Sequence, residues 1–352
     1  GQYEIDEIGG RIVGSYTNTT PTASYRGAGR PEVMYLVERL VDAAARELDM
    51  DPAEFRRKNL IPPDAFPYES AVGAVYDSGD YEPALDLALE HADYDALRER
   101  QAELREEGRY LGIGVSSIIE NSANQPGMGE LGRVRFGQDG KLTAFLGTHD
   151  HGQGHETSFS QILSDELGVD YDDIEIEEGD TQYLPGGVGT FGSRSMALGG
   201  AAMVDAAEQV KEEARKIAAD QLEVAAEDLE FEDGEFYVTG APDRSIKITK
   251  VAELAADQEI ELDATAEYDP PNFGWPFGTH IAVVEVDPDT GEVDFEQYVA
   301  VDDCGTVINP LIVDGQIHGG VAQGIGQALY EGAEYDENGQ LLTGSMQDYA
   351  VP

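Results

Sequence analysis

The chain has one cysteine, Cys304, in 352 residues. A single thiol excludes an internal disulfide, a CxxC zinc site and any cysteine-ligated iron-sulfur cluster within the chain. Basic residues are scarce: 22 Lys and Arg stand against 71 Asp and Glu, a formal charge of −49. There is no Lys/Arg stripe to neutralise phosphates, so nucleic acid is not an expected partner. The acidic residues are dispersed, as a surface solvated in strong salt requires. Salt dependence follows, because such charges repel at low ionic strength and are screened at high, and a halophilic source is expected. Long apolar runs are missing as well. Stretches such as Ile281 to Val284 and Ala197 to Val204 fall well short of the roughly 20 residues a membrane-crossing helix needs. The start, Gly-Gln-Tyr-Glu, carries neither a basic nor an apolar region of a secretory signal. The cytoplasm is the expected location, without membrane association.

A hydrophobic content of 41% supports a folded protein with large cores. Arg11 to Asn18 reads as a strand. Met34, Val37, Leu40, Val41, Ala44, Ala45 and Leu48 recur at helical spacing, and Asp51-Pro52 opens a second helix with Asp as N-cap and Pro in the first turn. Pro62, Pro63 and Pro67 interrupt regular structure, and a domain boundary is placed near residue 66. Tyr110 to Glu120, Arg133 to Phe136 and Leu142 to Thr148 read as strands, the last two joined by a turn at Gln138-Asp139-Gly140. Phe159, Ile162, Leu163 and Leu167 give a helical stripe, and Ile174 to Glu177 alternates as a strand. A long helix runs from about Ala197 to Leu222. His280 to Val286 and Val293 to Val301 form a strand pair ahead of a final helix, Gln316 to Tyr330. The mixture predicts an α+β fold, with mixed sheets and packed helices rather than regular βαβ alternation.

Three glycine-rich segments stand out: Gly147 to Glu156, Gly186 to Gly200 and Gly315 to Gly326. Glycine lets backbone approach a ligand and offer N–H donors, and a following helix N-terminus favours anions. Hydrogen-bonding side chains interleave with the glycines: Gln153, then Thr190, Ser193, Arg194 and Ser195, then Gln323. One polar, anionic ligand held by all three loops is the economical reading; ordinary tight turns are the alternative for any loop alone. No Gly-Lys-Ser/Thr occurs and the first loop lacks a dinucleotide fingerprint, which disfavours nucleotides. His149, His151 and His155 form H-x-H-x3-H, open to a zinc or iron site and a hydrolase reading. The acidic neighbours Asp302 and Asp303 disfavour a reactive thiolate at Cys304, which reads as structural.

Four motifs carry a resemblance to a known family. Thr17 to Glu32 (TNTTPTASYRGAGRPE), His151 to Glu156 (HGQGHE), Gly189 to Ser195 (GTFGSRS), and Asn309-Pro310 with Gly315-Gln316 and Gly319 to Gly326 resemble, in order and spacing, the molybdopterin-binding large subunits of xanthine dehydrogenases, aldehyde oxidases and carbon-monoxide-dehydrogenase-like enzymes. The resemblance implies a molybdenum hydroxylase that oxidises an aldehyde or N-heterocycle with water as oxygen source. It implies a molybdopterin, in its cytosine dinucleotide form, that carries the molybdenum without protein ligands. Gly152, Gln153, Gly154, Thr190, Gly192, Ser193, Arg194, Ser195 and Gln323 are the implied cofactor contacts. Arg26 is the implied substrate-facing arginine, where a fixed guanidinium stabilises developing negative charge; a structural ion pair is the alternative. Electrons would leave through 2Fe-2S clusters and FAD on an iron-sulfur subunit and an FAD subunit, in an oligomer of heterotrimers.

Two departures qualify the match. Gly27-Ala28-Gly29 stands where carbon monoxide dehydrogenases proper have a cysteine, which disfavours a copper-molybdenum centre. The family's glutamate base lies in a GxGE motif beyond an Asp-Tyr-x-x-Pro segment, and the sequence ends at Asp348-Tyr349-Ala350-Val351-Pro352. The expectation is a fragment, with a split gene as the alternative: residues 1–66 end a first molybdopterin-binding domain and 67–352 form a second, truncated one, inactive by itself. A non-catalytic cofactor-binding or interaction protein is the alternative.

Overall fold

A computed structural model describes residues 1–21, 23–123, 127–138 and 140–352. Asp139 of the expected turn and Thr22 of the Thr17 to Glu32 segment lie outside the described residues. In chain order the elements are α1 (Arg30–Glu47), α2 (Pro52–Asn59), β1 (Tyr68–Glu69), β2 (Val75–Tyr76), α3 (Tyr81–Ala92), α4 (Tyr94–Glu106), β3 (Tyr110–Ile119), β4 (Glu130–Phe136), β5 (Leu142–Leu146), α5 (His155–Leu167), β6 (Ile174–Glu178), α6 (Ala201–Leu222), β7 (Leu229–Glu232), β8 (Glu235–Val238), β9 (Ala241–Lys247), α7 (Ile248–Asp257), β10 (Asp263–Tyr268), β11 (Phe277–Val286), β12 (Val293–Asp303) and α8 (Pro310–Leu329). They pack as two units, residues 1–121, 275–306 and 313–352 in the first, and 122–274 and 307–312 in the second. The sequence-domain boundary expected near residue 66 falls inside the first packing unit. The α+β expectation holds, since helices pack on antiparallel and mixed sheets.

In the first unit β12, β11 and β3 form an antiparallel sheet. α3 packs on β11 and β12, and α4 on β3, with Leu85, Ala88, Leu111, Val115, Ile281 and Val283 buried between them. The stripe expected on α1 is buried only in part. Leu40 and Leu48 are exposed, and the inward side carries Glu38 as well as Ala45. Glu38 is tolerated because both oxygens find donors: Oε1 accepts from the Tyr3 hydroxyl, and Oε2 accepts from Arg56 and the Ser117 backbone. Burial, then the Glu38 charge, push the Tyr3 phenol up from its usual range. Asp51 caps α2 as expected, accepting from Ala53 and Glu54.

The strand expected at Arg11 to Asn18 is not formed. Its side chains are exposed, Ile12 and Tyr16 fully so, and no described strand pairs with it; without a partner the backbone groups gain nothing from extension.

The second unit is built on the sheet β10-β4-β5-β6, antiparallel except for β5 and β6, which run parallel. β7, β8 and β9 form a small antiparallel sheet. Leu142, Leu146, Phe159, Leu163 and Leu167 are fully buried here, each burial contributing about 1.5–3 kcal/mol. The long helix begins as a π-helical turn, Ser195–Gly200, before α6. In β4 a Cβ on Gly132 would fall 2.6 Å from the Met203 backbone nitrogen, so glycine is what lets this strand approach α6. The helix expected to start at Gln316 starts at Pro310, with Asn309 Oδ1 accepting from the Ile312 N–H at 3.1 Å. Asn-Pro is the N-cap and first-turn signature that marks this start. No helix among the described residues is long and apolar enough to cross a membrane.

Candidate functional site

The parallel pairing of β5 and β6 sets the first loop. Leu146 lies opposite Glu178, so the carboxyl ends of both strands meet the loop that leads into α5, the usual position for a ligand crevice in such sheets. Asp150 organises this loop. Its Oδ1 accepts from the Gly152 and Gln153 backbone at 2.6 and 3.0 Å, and its Oδ2 from His155 at 3.3 Å. Partial burial pushes the Asp150 carboxyl up, but these backbone donors outweigh it, and the group sits below its usual range. Gly152 and Gly154 have φ of 100° and 80°, which L side chains rarely adopt. Gln153 Oε1 accepts from the His151 backbone at 2.6 Å, and Gln153 Nε2 lies 2.9 Å from His155 Nε2.

The second loop is held from beneath by Glu130, buried at the start of β4. Its carboxylate accepts from the backbone of Leu131, Val188 and Gly189 and pairs with Arg194. Arg194 was expected among the cofactor contacts, but its guanidinium is fully buried and donates to Glu130 and to the carbonyls of Met128, Gly129 and Gly189. This side chain builds the loop and faces inward. Thr190 Oγ1 accepts from the His149 backbone at 2.8 Å and lies 2.9 Å from Ser195 Oγ, so the first two loops are stitched together. Their close approach requires glycine: a Cβ on Gly147 would come 2.6 Å from the Gly187 Cα. Gly192 and Ser193 both have positive φ, and their N–H groups have no backbone partner among the described residues.

The third loop is α8 itself. Within the first unit, Arg26, Gln323, Tyr25, Glu331, Gly319 and Ala322 line a cavity of about 430 Å³. Arg26 donates to Gln316 Oε1 at 3.1 Å, and no carboxylate pairs with it among the described residues. Glu331 accepts from the Tyr25 and Tyr349 hydroxyls. Burial and then the Glu331 charge raise the Tyr25 phenol, and the hydrogen bond to Glu331 raises that of Tyr349.

The three-histidine metal reading does not fit this geometry. Both ring nitrogens of His155 are engaged, by Glu178 and Gln153. Among the described residues no group of three or more His, Cys, Asp or Glu is placed to hold a metal ion. Cys304 is exposed.

Asp150, Glu130, Glu178 and Glu331 were not singled out from sequence. Three of them left a signal. Asp two residues before a glycine is an Asx-turn pattern. Glu130 shares the inward face of β4 with Gly132, Val134 and Phe136, and Glu178 shares a face of β6 with Ile174 and Ile176, by the two-residue strand period.

What the first two loops define, within the second unit, is a polar, donor-rich cradle on an α+β scaffold, of the kind suited to an anionic, acceptor-rich cofactor. The molybdopterin cofactor-binding domain family matches residues 1–60 and 87–352. The chain is 40% identical, over its whole length, to 46% of the carbon monoxide dehydrogenase large chain of Hydrogenophaga pseudoflava. A solved carbon monoxide dehydrogenase from Oligotropha carboxidovorans is 37% identical with a TM-score of 0.88, covering 93% of this chain and 43% of that one. Quinoline 2-oxidoreductase from Pseudomonas putida 86 is 38% identical with a TM-score of 0.86, covering 93% and 44%. The chain therefore belongs to the molybdopterin-binding family of xanthine dehydrogenase and carbon-monoxide-dehydrogenase-like molybdenum hydroxylases. It spans less than half the length of these relatives.

Proposed function

We propose that the chain is the molybdopterin-binding part of a molybdenum hydroxylase that oxidises an aldehyde or N-heterocycle with water as oxygen source. Residues 1–66 would end a first cofactor-binding domain and 67–352 form most of a second. The observation that carries the reading is the donor set of the first two loops. Gln153, backbone N–H groups at Gly154, Gly192 and Ser193, and one hydroxyl of the Thr190–Ser195 pair present neutral donors to a ligand, while the Gly152 N–H is taken by Asp150 and shapes the loop. Such donors suit the pyrophosphate and pterin oxygens of a molybdopterin cytosine dinucleotide. Gln323 would add a contact from α8, and Arg194 would act by fixing the loop. Bound molybdopterin supplies a molybdenum centre for two-electron oxidation. The residues of this chain would hold it and orient the substrate.

Arg26 is the residue for substrate. A cation without a carboxylate partner among the described residues, in a chain of net charge −49, is available to stabilise negative charge that develops on a carbonyl or ring nitrogen. Oxidation of carbon monoxide is disfavoured by Gly27: at φ 97°, a Cβ there would meet the Pro31 ring at 2.7 Å, so a thiol has no room in this turn. With one cysteine in the chain, iron-sulfur and FAD subunits would carry the electrons away, in an oligomer of heterotrimers. In the full-length complex, Arg26→Ala is expected to lower turnover about 10²- to 10³-fold with pterin content unchanged. Loss of pterin along with activity would assign Arg26 to cofactor positioning instead.

A further inference from the structure

The ring of His155 is held between two partners of unlike character. Nδ1 lies 2.9 Å from Glu178 Oε1, and Nε2 lies 2.9 Å from Gln153 Nε2. Thr148 donates to the same Glu178 oxygen at 2.5 Å. An ionised carboxylate only accepts, so Nδ1 carries a proton. The Gln153 carboxamide is oriented independently of the histidine. Its Oε1 takes the His151 backbone N–H, which can only donate, so the oxygen and nitrogen ends are not interchangeable. An NH2 group therefore faces His155 Nε2, which must accept and must be unprotonated. One amide proton is used there. The other is the one donor the side chain has left.

We propose that His155 and Glu178 are positioning residues for Gln153, locking its carboxamide so that the remaining N–H faces a hydrogen-bond acceptor on the bound pterin cofactor. This rests on the reading of Gln153 as a cofactor contact. Both residues stand on rigid elements. His155 opens α5 with its ring 5.2 Å from that of Phe159, and Glu178 closes β6 in register with Leu146. Their side chains are 6% and 9% exposed, so water offers little substitute for either bond. Were the proton on Nε2, two donors would face one another. The carboxamide would then turn over and give up the His151 N–H.

A double-mutant cycle in the full-length holoenzyme, kept in molar salt, separates positioning from a merely structural role. Gln153→Ala, His155→Phe and the double variant are compared by the rate at which pterin is lost on dialysis, read by fluorescence of oxidised pterin, with thermal midpoints in parallel. Each single variant is expected to lose pterin roughly 10- to 100-fold faster. The double variant is expected to be no worse than Gln153→Ala, because the histidine acts only through the glutamine. The same cycle with Glu178→Leu should behave alike. If His155→Phe costs the same factor with and without Gln153, the positioning role is overturned while the cofactor reading stands. If Gln153→Ala retains pterin as the parent does, the cofactor reading of Gln153 falls and the proposal with it. Neutron diffraction from crystals of the parent complex tests the protonation pattern without any substitution. Deuterium on Nδ1 of His155 and none on Nε2 is expected; deuterium on Nε2 overturns the proposal.

Discussion

Asp150 shows how one side chain can shape a binding loop without facing the ligand. Its two oxygens collect three backbone N–H groups, and these are stronger acceptors while the carboxylate is ionised. Its folded-state pKa is lowered, so the stability it contributes is present above the ordinary aspartate range near 4 and is lost as pH falls through the depressed value. The loop should thus be ordered at neutral pH and come undone only in acid below about 4. Hydrogen exchange of the Gly152 and Gln153 amides, followed against pH, checks this; protection that vanishes near neutrality would contradict it. Asp150→Ala should lower protection at neutral pH by about tenfold, the lower end for hydrogen bonds to a charged group in a partly exposed loop. Asp150→Asn, which keeps one acceptor oxygen, should do less. The glycines and Gln153 of this loop were legible in the sequence as a ligand-facing pattern. Glu178 was not recognised, because its importance depends on lying opposite Leu146, and strand register is set by pairing rather than by the strand's own residues.

At the level of elements, the helical period located α1 and α5, where apolar residues recur over several turns, the Asp51-Pro52 cap located α2, and the long helix expected over Ala197 to Leu222 falls on α6. The alternation located β3 to β6, β11 and β12. Arg11 to Asn18 has an apolar content compatible with a strand, yet a strand exists only where a neighbour pairs with it, and no described strand does. α3 and α4 went unread although Tyr81, Leu85, Ala88 and Ala92 are buried at helical spacing; the charged residues between them obscure the stripe. On α1 the buried Glu38 shows the limit of hydrophobic pattern as a guide, since a carboxylate with both oxygens hydrogen-bonded can occupy an inward position. The contact between β4 and α6 is a test of element packing. Gly132→Val would drive a side chain into the Ala202-Met203 backbone, and overpacking of this kind costs about 1–3 kcal/mol or more. Denaturant midpoints should fall accordingly, whereas an unchanged midpoint would mean that strand and helix can separate without loss.

For the whole molecule, a charge of −49 on 352 residues places solvent conditions among the determinants of stability. Ion pairs such as Arg57 with Glu54, Glu82 and Asp86, or Arg100 with Glu296, are partly exposed and weak individually. They leave most acidic residues without a cation, because only 22 basic residues are present. Salt that screens carboxylate repulsion should therefore raise the thermal midpoint steadily from about 0.1 M to 1 M, as the screening length falls from about 10 to 3 Å. A midpoint that falls over this range would show that attractive pairs dominate instead. The same conditions govern the most direct test of cofactor binding. Molybdenum by metal mass spectrometry and pterin by fluorescence after oxidation should be measured together on the full-length complex purified in molar salt. Near-stoichiometric molybdenum with pterin is the predicted result, and zinc or iron without pterin would contradict it.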